Sequence, residues 1–148
     1  MKKVKDFMSK DVSWSTPETS LSDVAKLMVD FGCGEIPLVE SEQDQKILGV
    51  ITDRDIVCRS LGVGKNPLEL TARDCMSESV ITGTPEMSLE ESIDLMEKYH
   101  IRRLPIVDES SKLCGILSQA DLERELSEKS AQERQALSSS EAQAQNIH

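Results

Sequence analysis

The chain has 148 residues, of which 38% are hydrophobic, 30% charged and only 3% aromatic, the composition of a globular body with an aliphatic core. A formal net charge of −10 argues against general binding to a phosphate backbone, and no apolar run reaches the roughly 20 residues of a membrane-spanning helix. Neither nucleic acid nor membrane is therefore an expected partner.

The N-terminus, MKKVKDFMSKD, has lysines but lacks the apolar stretch of a secretory leader, so a cytoplasmic protein is expected. Residues 12–16 read as a short extended segment ended by Pro17, which holds the residue before it extended. Ser20 with Asp23 predicts a helix N-cap, and Leu21, Val24, Ala25, Met28 and Phe31 draw one apolar stripe at helical spacing. Two strands follow at 36–39 and 47–52, and a second helix starts at Asp53. LGVGKNPLEL reads as a linker. The order then returns: an extended segment at 80–84 before Pro85, a cap at Ser88 with Glu91, and a stripe of Leu89, Ile93, Met96 and Tyr99. Strands at 104–107 and 113–118 and a helix from Gln119 complete it. After Leu126 the chain is rich in Ser, Gln, Ala and Glu, and reads as either a solvated helix or a disordered tail.

The return is a duplication. A shift of 68 residues superposes Asp6 on Asp74, Met8 on Met76, Thr16-Pro17-Glu18 on Thr84-Pro85-Glu86, and Pro37 on Pro105. Beyond the longer first turn the shift becomes 66, and Gly49 meets Gly115, Thr52 meets Ser118 and Asp55 meets Asp121. The expected organisation is repeat 1 over 1–62, a linker over 63–71, repeat 2 over 72–126 and a polar tail over 127–148. One repeat offers a three-stranded sheet with helices on one face, too little to stand alone. Two repeats are expected to pack their sheets together about a pseudo-two-fold axis and close a shared core. The four cysteines form no CxxC pair; Cys75 and Cys114 replace Phe7 and Leu48 of the first repeat and read as small buried hydrophobes, so no metal site is expected.

The repeated succession of TP-x-x-SL, then I-P-L-V or L-P-I-V-D, then G-V-I-T-D-R-D or G-I-L-S-Q-A-D resembles the tandem CBS (cystathionine β-synthase) domain over about residues 4–126, as in small stand-alone bacterial CBS-pair proteins. The resemblance implies an α/β fold of two β-α-β-β-α repeats with paired clefts between them. It implies a regulatory module binding an adenine nucleotide or adenosyl ligand: AMP, ADP or ATP ahead of NAD or S-adenosylmethionine, with no required cofactor. A homodimer is expected as well, since such pairs form flat two-module discs and the two striped helices offer apolar area beyond one core's need. A regulated partner protein is implied but not named by the sequence.

The residues can be read for that chemistry directly. Thr52-x-x-Asp55 and Ser118-x-x-Asp121 stand at strand-to-helix junctions. Each carboxylate offers two acceptor oxygens for the two ribose hydroxyls; the plainer reading is a helix capping box, and the two uses are compatible. Arg102 and Arg103 precede a strand and suit phosphate through their forked donors, or else pair with surface acids. Their counterparts are Gly34 and Glu35. In the arrangement the family implies, the first cleft joins Thr52 and Asp55 to Arg102, Arg103, Thr82 and Gly83. The second, weaker cleft joins Ser118 and Asp121 to Gly34 and Trp14, with Glu35 repelling phosphate. His100 touches phosphate or simply ends its helix favourably. The alternative function is an assembly or partner-binding scaffold with no nucleotide bound. An enzyme is not expected: the sequence has no Ser/His/Asp set, no GxxxxGK[ST] loop and no HExxH.

Overall fold

The computed structural model describes the backbone of residues 1–145 and the side chains of residues 1–138; the end of the polar tail, 146–148, lies outside the described residues. The elements run α1 (Leu21–Phe31), β1 (Glu35–Val39), β2 (Ile47–Thr52), α2 (Asp53–Arg59), α3 (Ala72–Cys75), α4 (Leu89–Tyr99), β3 (Arg103–Val107), β4 (Leu113–Ser118) and α5 (Gln119–Gln145), with short 3-10 turns at Val4–Asp6, Leu61–Val63 and Pro67–Glu69. The caps act where the sequence places them: the Asp23 amide donates to the Ser20 hydroxyl, and the Glu91 amide to Ser88. Beyond Leu126, α5 continues with exposed side chains as far as they are described.

β1 pairs antiparallel with β2 and β3 with β4, in corresponding registers: Glu35 opposes Thr52, and Arg103 opposes Ser118. Both ladders slip at the same step, Leu38/Val39 and Ile106/Val107. The expected third strands shrink to one bridge each, Ser15 with Leu38 and Gly83 with Ile106, both parallel. Proline explains the shrinkage. Ser15 donates to the Pro37 carbonyl and accepts from the Val39 amide. Extending that ladder needs a donor at Pro37 in one direction and at Pro17 in the other, and neither has an N–H. Pro105 and Pro85 confine Gly83 in the same way.

The buried side chains form two clusters rather than the one shared core expected. Leu21, Val24, Met28, Ile36, Leu38 and Ile51 of the first repeat enclose Ala72, Cys75 and Met76 from the start of the second. Met96, Leu104, Ile106, Leu117 and Leu122 of the second enclose Val4, with Phe7 and Met8 packed alongside. The repeats have exchanged their N-terminal segments. The hydrogen bonds come in matched pairs: Val4 amide to Met87 carbonyl with Ala72 amide to Thr19 carbonyl, and Lys5 amide to Pro85 carbonyl with Arg73 amide to Pro17 carbonyl. Ser9 bridges Ile116, and Ser77 bridges Val50. Each half therefore needs the other half's chain to finish its core, which makes the pair one cooperative body.

The two halves also touch near the axis that relates them. Lys46 bridges its own counterpart Lys112, as a two-fold relation requires. The expected apolar stripes stop short of their last members: Phe31 and Tyr99, at the final helical positions, are 54% and 44% exposed. Val29 is more exposed still. Cys75 is buried and Cys114 half-buried, and burial pushes both thiols up from their ordinary acidity, as expected of small hydrophobes.

Candidate functional site

Each repeat carries a turn before its first strand and a junction after its second, and pairing of the strands brings turn and junction together. The Asp53 amide donates to the Gly34 carbonyl at 2.9 Å, and the Gln119 amide to the Arg102 carbonyl at 2.8 Å. The pseudo-two-fold relation then sets both turn–junction units around one groove of about 790 Å³. That volume lies within the range of small-molecule sites.

This groove draws on both expected clefts. Gly34, Thr52, Arg102, Arg103 and Ser118 all line it, as does Glu35. Glu35 is thus not confined to a second cleft with Ser118 and Asp121. It is half-buried and responds to the charges of Arg103 and Asp55, both assigned from sequence to the first cleft. Burial pushes its carboxyl up to about 7; Arg103 opposes that rise and Asp55 adds to it.

Asp55 and Asp121 stand one hydrogen bond behind the lining. Asp55 accepts the Thr52 amide at 3.0 Å while Thr52 Oγ1 accepts the Asp55 amide at 3.0 Å, a complete capping box. Asp121 and Ser118 make the same exchange at 3.0 and 3.2 Å. Each cap uses one carboxylate oxygen, Oδ2. The other differs between repeats: Asp55 Oδ1 lies 3.9 Å from Arg59 Nε, whereas Asp121 Oδ1 is closely paired with Arg124.

Arg102 is exposed and Arg103 half-buried, and among the described residues neither has an acidic partner within 4.0 Å. Among the described residues, the plain surface ion pairs weighed from sequence are not formed. Thr82, Gly83 and Trp14 are not part of the lining. Thr82 and Trp14 are half-buried beside the single-residue bridges. Gly83 is buried against β3, where a Cβ would meet Leu104 at 2.9 Å and Ile106 at 3.1 Å, so close packing explains that glycine. Sequence reasoning missed Arg54, Gln119 and Glu123 as lining residues; Arg54 and Gln119 adjoin or occupy the very junctions it singled out. A second, more apolar cavity of about 470 Å³ adjoins the groove between α4 and α5, sharing His100, Ile101, Arg102, Gln119 and Glu123. Among the described residues, no helix is long and apolar enough to cross a membrane, and no group of three or more His, Cys, Asp or Glu side chains is placed to hold a metal ion.

Comparison with known proteins bears on this geometry. The CBS domain family matches residues 4–62 and 72–128. The uncharacterised protein MK0525 of Methanopyrus kandleri is 42% identical over 113 residues, 76% of this chain and 57% of that protein, so the chain spans little more than half of that relative. The CBS domain-containing protein YhcV of Bacillus subtilis is 39% identical over 123 residues, 82% of this chain and 84% of that protein. Among solved structures, the CBS domain pair of protein MJ0100 in complex with 5′-methylthioadenosine and S-adenosyl-L-methionine is similar with a TM-score of 0.76 at 27% identity, covering 87% of this chain and 98% of that one. CBSX2 of Arabidopsis thaliana in complex with AMP is similar with a TM-score of 0.76 at 25% identity, covering 88% and 99%. With two matched domains, a duplicated fold and a groove between the copies, the chain belongs to the CBS domain family as a tandem pair.

Proposed function

We propose that this CBS pair is a regulatory module, not an enzyme, and that it binds a phosphorylated adenosine ligand of the AMP, ADP or ATP kind in the groove between its repeats. The observation that carries the reading is the pair Arg102 and Arg103: two guanidinium groups with no acidic oxygen within 4.0 Å among the described residues, lining a concave groove in a protein of net charge −10. Local donors can outweigh a distant negative surface, because salt screens exposed charges beyond about 8 Å. In this reading Arg102 and Arg103 take the phosphate, and Thr52 with the outer oxygen of Asp55 takes the ribose. Asp121 is the weaker ribose acceptor, because Arg124 already occupies its outer oxygen. Thr82, Gly83 and Trp14 are given no ligand role. The neighbours solved with AMP and with adenosyl ligands support the ligand class. The module is read as cytoplasmic and dimeric, with exposed Val29, Phe31 and Tyr99 as candidate apolar contacts of the dimer; light scattering that returned a mass near 16.4 kDa at micromolar concentration would count against the dimer.

Calorimetry with AMP and with adenosine tests the ligand reading. The wild type is expected to bind AMP more tightly than adenosine. Arg103→Ala is expected to weaken AMP about tenfold or more, the scale of one charge-assisted hydrogen bond, and to leave adenosine within about twofold. Equal losses for both ligands would mean that the arginine acts through the fold and that the phosphate assignment is wrong.

A further inference from the structure

α1 and α4 end in the same way. Gly32 closes α1 at φ 61° and ψ 39°, and His100 closes α4 at φ 54° and ψ 44°. This left-handed conformation is free to glycine and sterically unfavourable for an L side chain. The closing bonds also correspond: the Cys33 amide donates to the Met28 carbonyl at 3.0 Å, and the Ile101 amide to the Met96 carbonyl at 3.0 Å. The helix end therefore asks for glycine in both repeats and receives it in one.

No described residue uses the imidazole that takes its place. The last carbonyls of α4 are met by backbone amides, with His100 N–H donating to Glu97 and Ile101 N–H to Met96. The ring makes no hydrogen bond to any described residue, and the side chain is exposed. Ile101 turns inward onto the second core, while His100 and Arg102 on either side of it stay exposed and line the groove. His100 also lines the adjoining apolar cavity, so it stands where the two spaces meet.

We infer that His100 is a ligand-binding residue of this groove, whose imidazole donates to the anionic end of the ligand beside Arg102, and that the second repeat carries a strained helix end for the sake of that contact. The inference rests on the nucleotide reading above and adds a residue to it. It makes the ligand's phosphate a guest of the second repeat, since the first repeat has only glycines and Glu35 at the same places.

His100→Gly separates fold from ligand, because the substitution suits the backbone and deletes only the ring. The apo variant is expected to melt no lower than the wild type by circular dichroism. In calorimetry its AMP affinity is expected to fall about fivefold to tenfold, while adenosine stays within about twofold. Unchanged AMP affinity in His100→Gly, or equal losses for AMP and adenosine, would overturn the inference while leaving the site reading intact. A wild type that binds no AMP would overturn the site reading itself, and this inference with it.

Discussion

Residues 32–35 and 100–103 follow one backbone path and carry opposite chemistry. Both turns leave a helix through a left-handed residue, offer a carbonyl to the first amide of the following helix, and enter a strand at the residue opposite Thr52 or Ser118. One spells Gly-Cys-Gly-Glu and the other His-Ile-Arg-Arg. The duplication thus fixes where side chains stand in the groove, and divergence fixes what they do. The junction aspartates show the same division: equivalent capping boxes, but an outer oxygen loosely approached by Arg59 in one repeat and closely paired with Arg124 in the other.

The largest test of that likeness concerns the exchanged segments. Gly49 and Gly115 are counterparts, each lying under the segment donated by the other repeat. A Cβ on Gly49 would lie 2.6 Å from the Ser77 carbonyl oxygen and 2.5 Å from Met76 Cε. A Cβ on Gly115 would lie 2.6 Å from Met8 Sδ but 3.1 Å from the Ser9 carbonyl oxygen. A methionine side chain yields more readily than a paired backbone. Gly49→Ala is expected to cost about 3 kcal/mol and Gly115→Ala about 1 kcal/mol, measured by urea unfolding. Equal losses would show that the two crossings are equally tight.

A smaller contrast lies in how the helices after the second strands grip those segments. Arg59 Nη1 on α2 donates to the carbonyls of Cys75 at 3.2 Å and Met76 at 2.7 Å. Its counterpart on α5 is Glu125, which pairs with Lys2 at the other crossing. Two charge-assisted bonds to backbone outweigh one ion pair near the surface. Arg59→Ala is expected to cost about 1.5 kcal/mol and Glu125→Ala under about 1 kcal/mol in the same assay. A larger loss at Glu125 would reverse the ranking.

The duplication, the helices, the paired strands and the caps were legible because each rests on local periodicity and turn chemistry. The exchange of residues 1–10 and 70–77 was not, because the registers 68 and 66 residues apart read the same whether Val4 packs on its own repeat or on the other. The shrunken third strands were legible in principle, since the missing donors at Pro17, Pro37, Pro85 and Pro105 are in the sequence, but the partner register had to be known first. The lining residues adjoining Thr52 and Ser118 follow the same logic: the junction was visible, and what faced it across the axis was not. Glu35 is the clearest case, because its apposition to Arg103 joins two strands that do not pair with each other.

Glu35 also supplies an effect that depends on pH. Its carboxyl is lifted to about 7, first by burial, with Arg103 pulling it down and Asp55 pushing it up. Between its ordinary value of 4.5 and about 7, the folded chain holds a proton that the unfolded chain has released. The stability contribution of this residue is therefore greatest below about 4.5, falls as pH rises through that window and changes no further above about 7. The loss is on the order of 1 kcal/mol once the open side of the groove is discounted. Glu35→Gln should remove that fall in urea unfolding. The same titration reaches the ligand. At pH 8 the carboxylate faces Arg103 and repels an incoming phosphate; at pH 6 it is largely neutral. Because AMP gains its own proton near pH 6, the informative quantity is the ratio of variant to wild-type affinity at each pH. Glu35→Gln is expected to bind AMP about threefold to fivefold more tightly than wild type at pH 8 and about equally at pH 6, with adenosine unaffected at both. A constant ratio across that range would mean that the carboxylate does not sense the phosphate, and that the contrast between Glu35 and Arg103 belongs to stability alone.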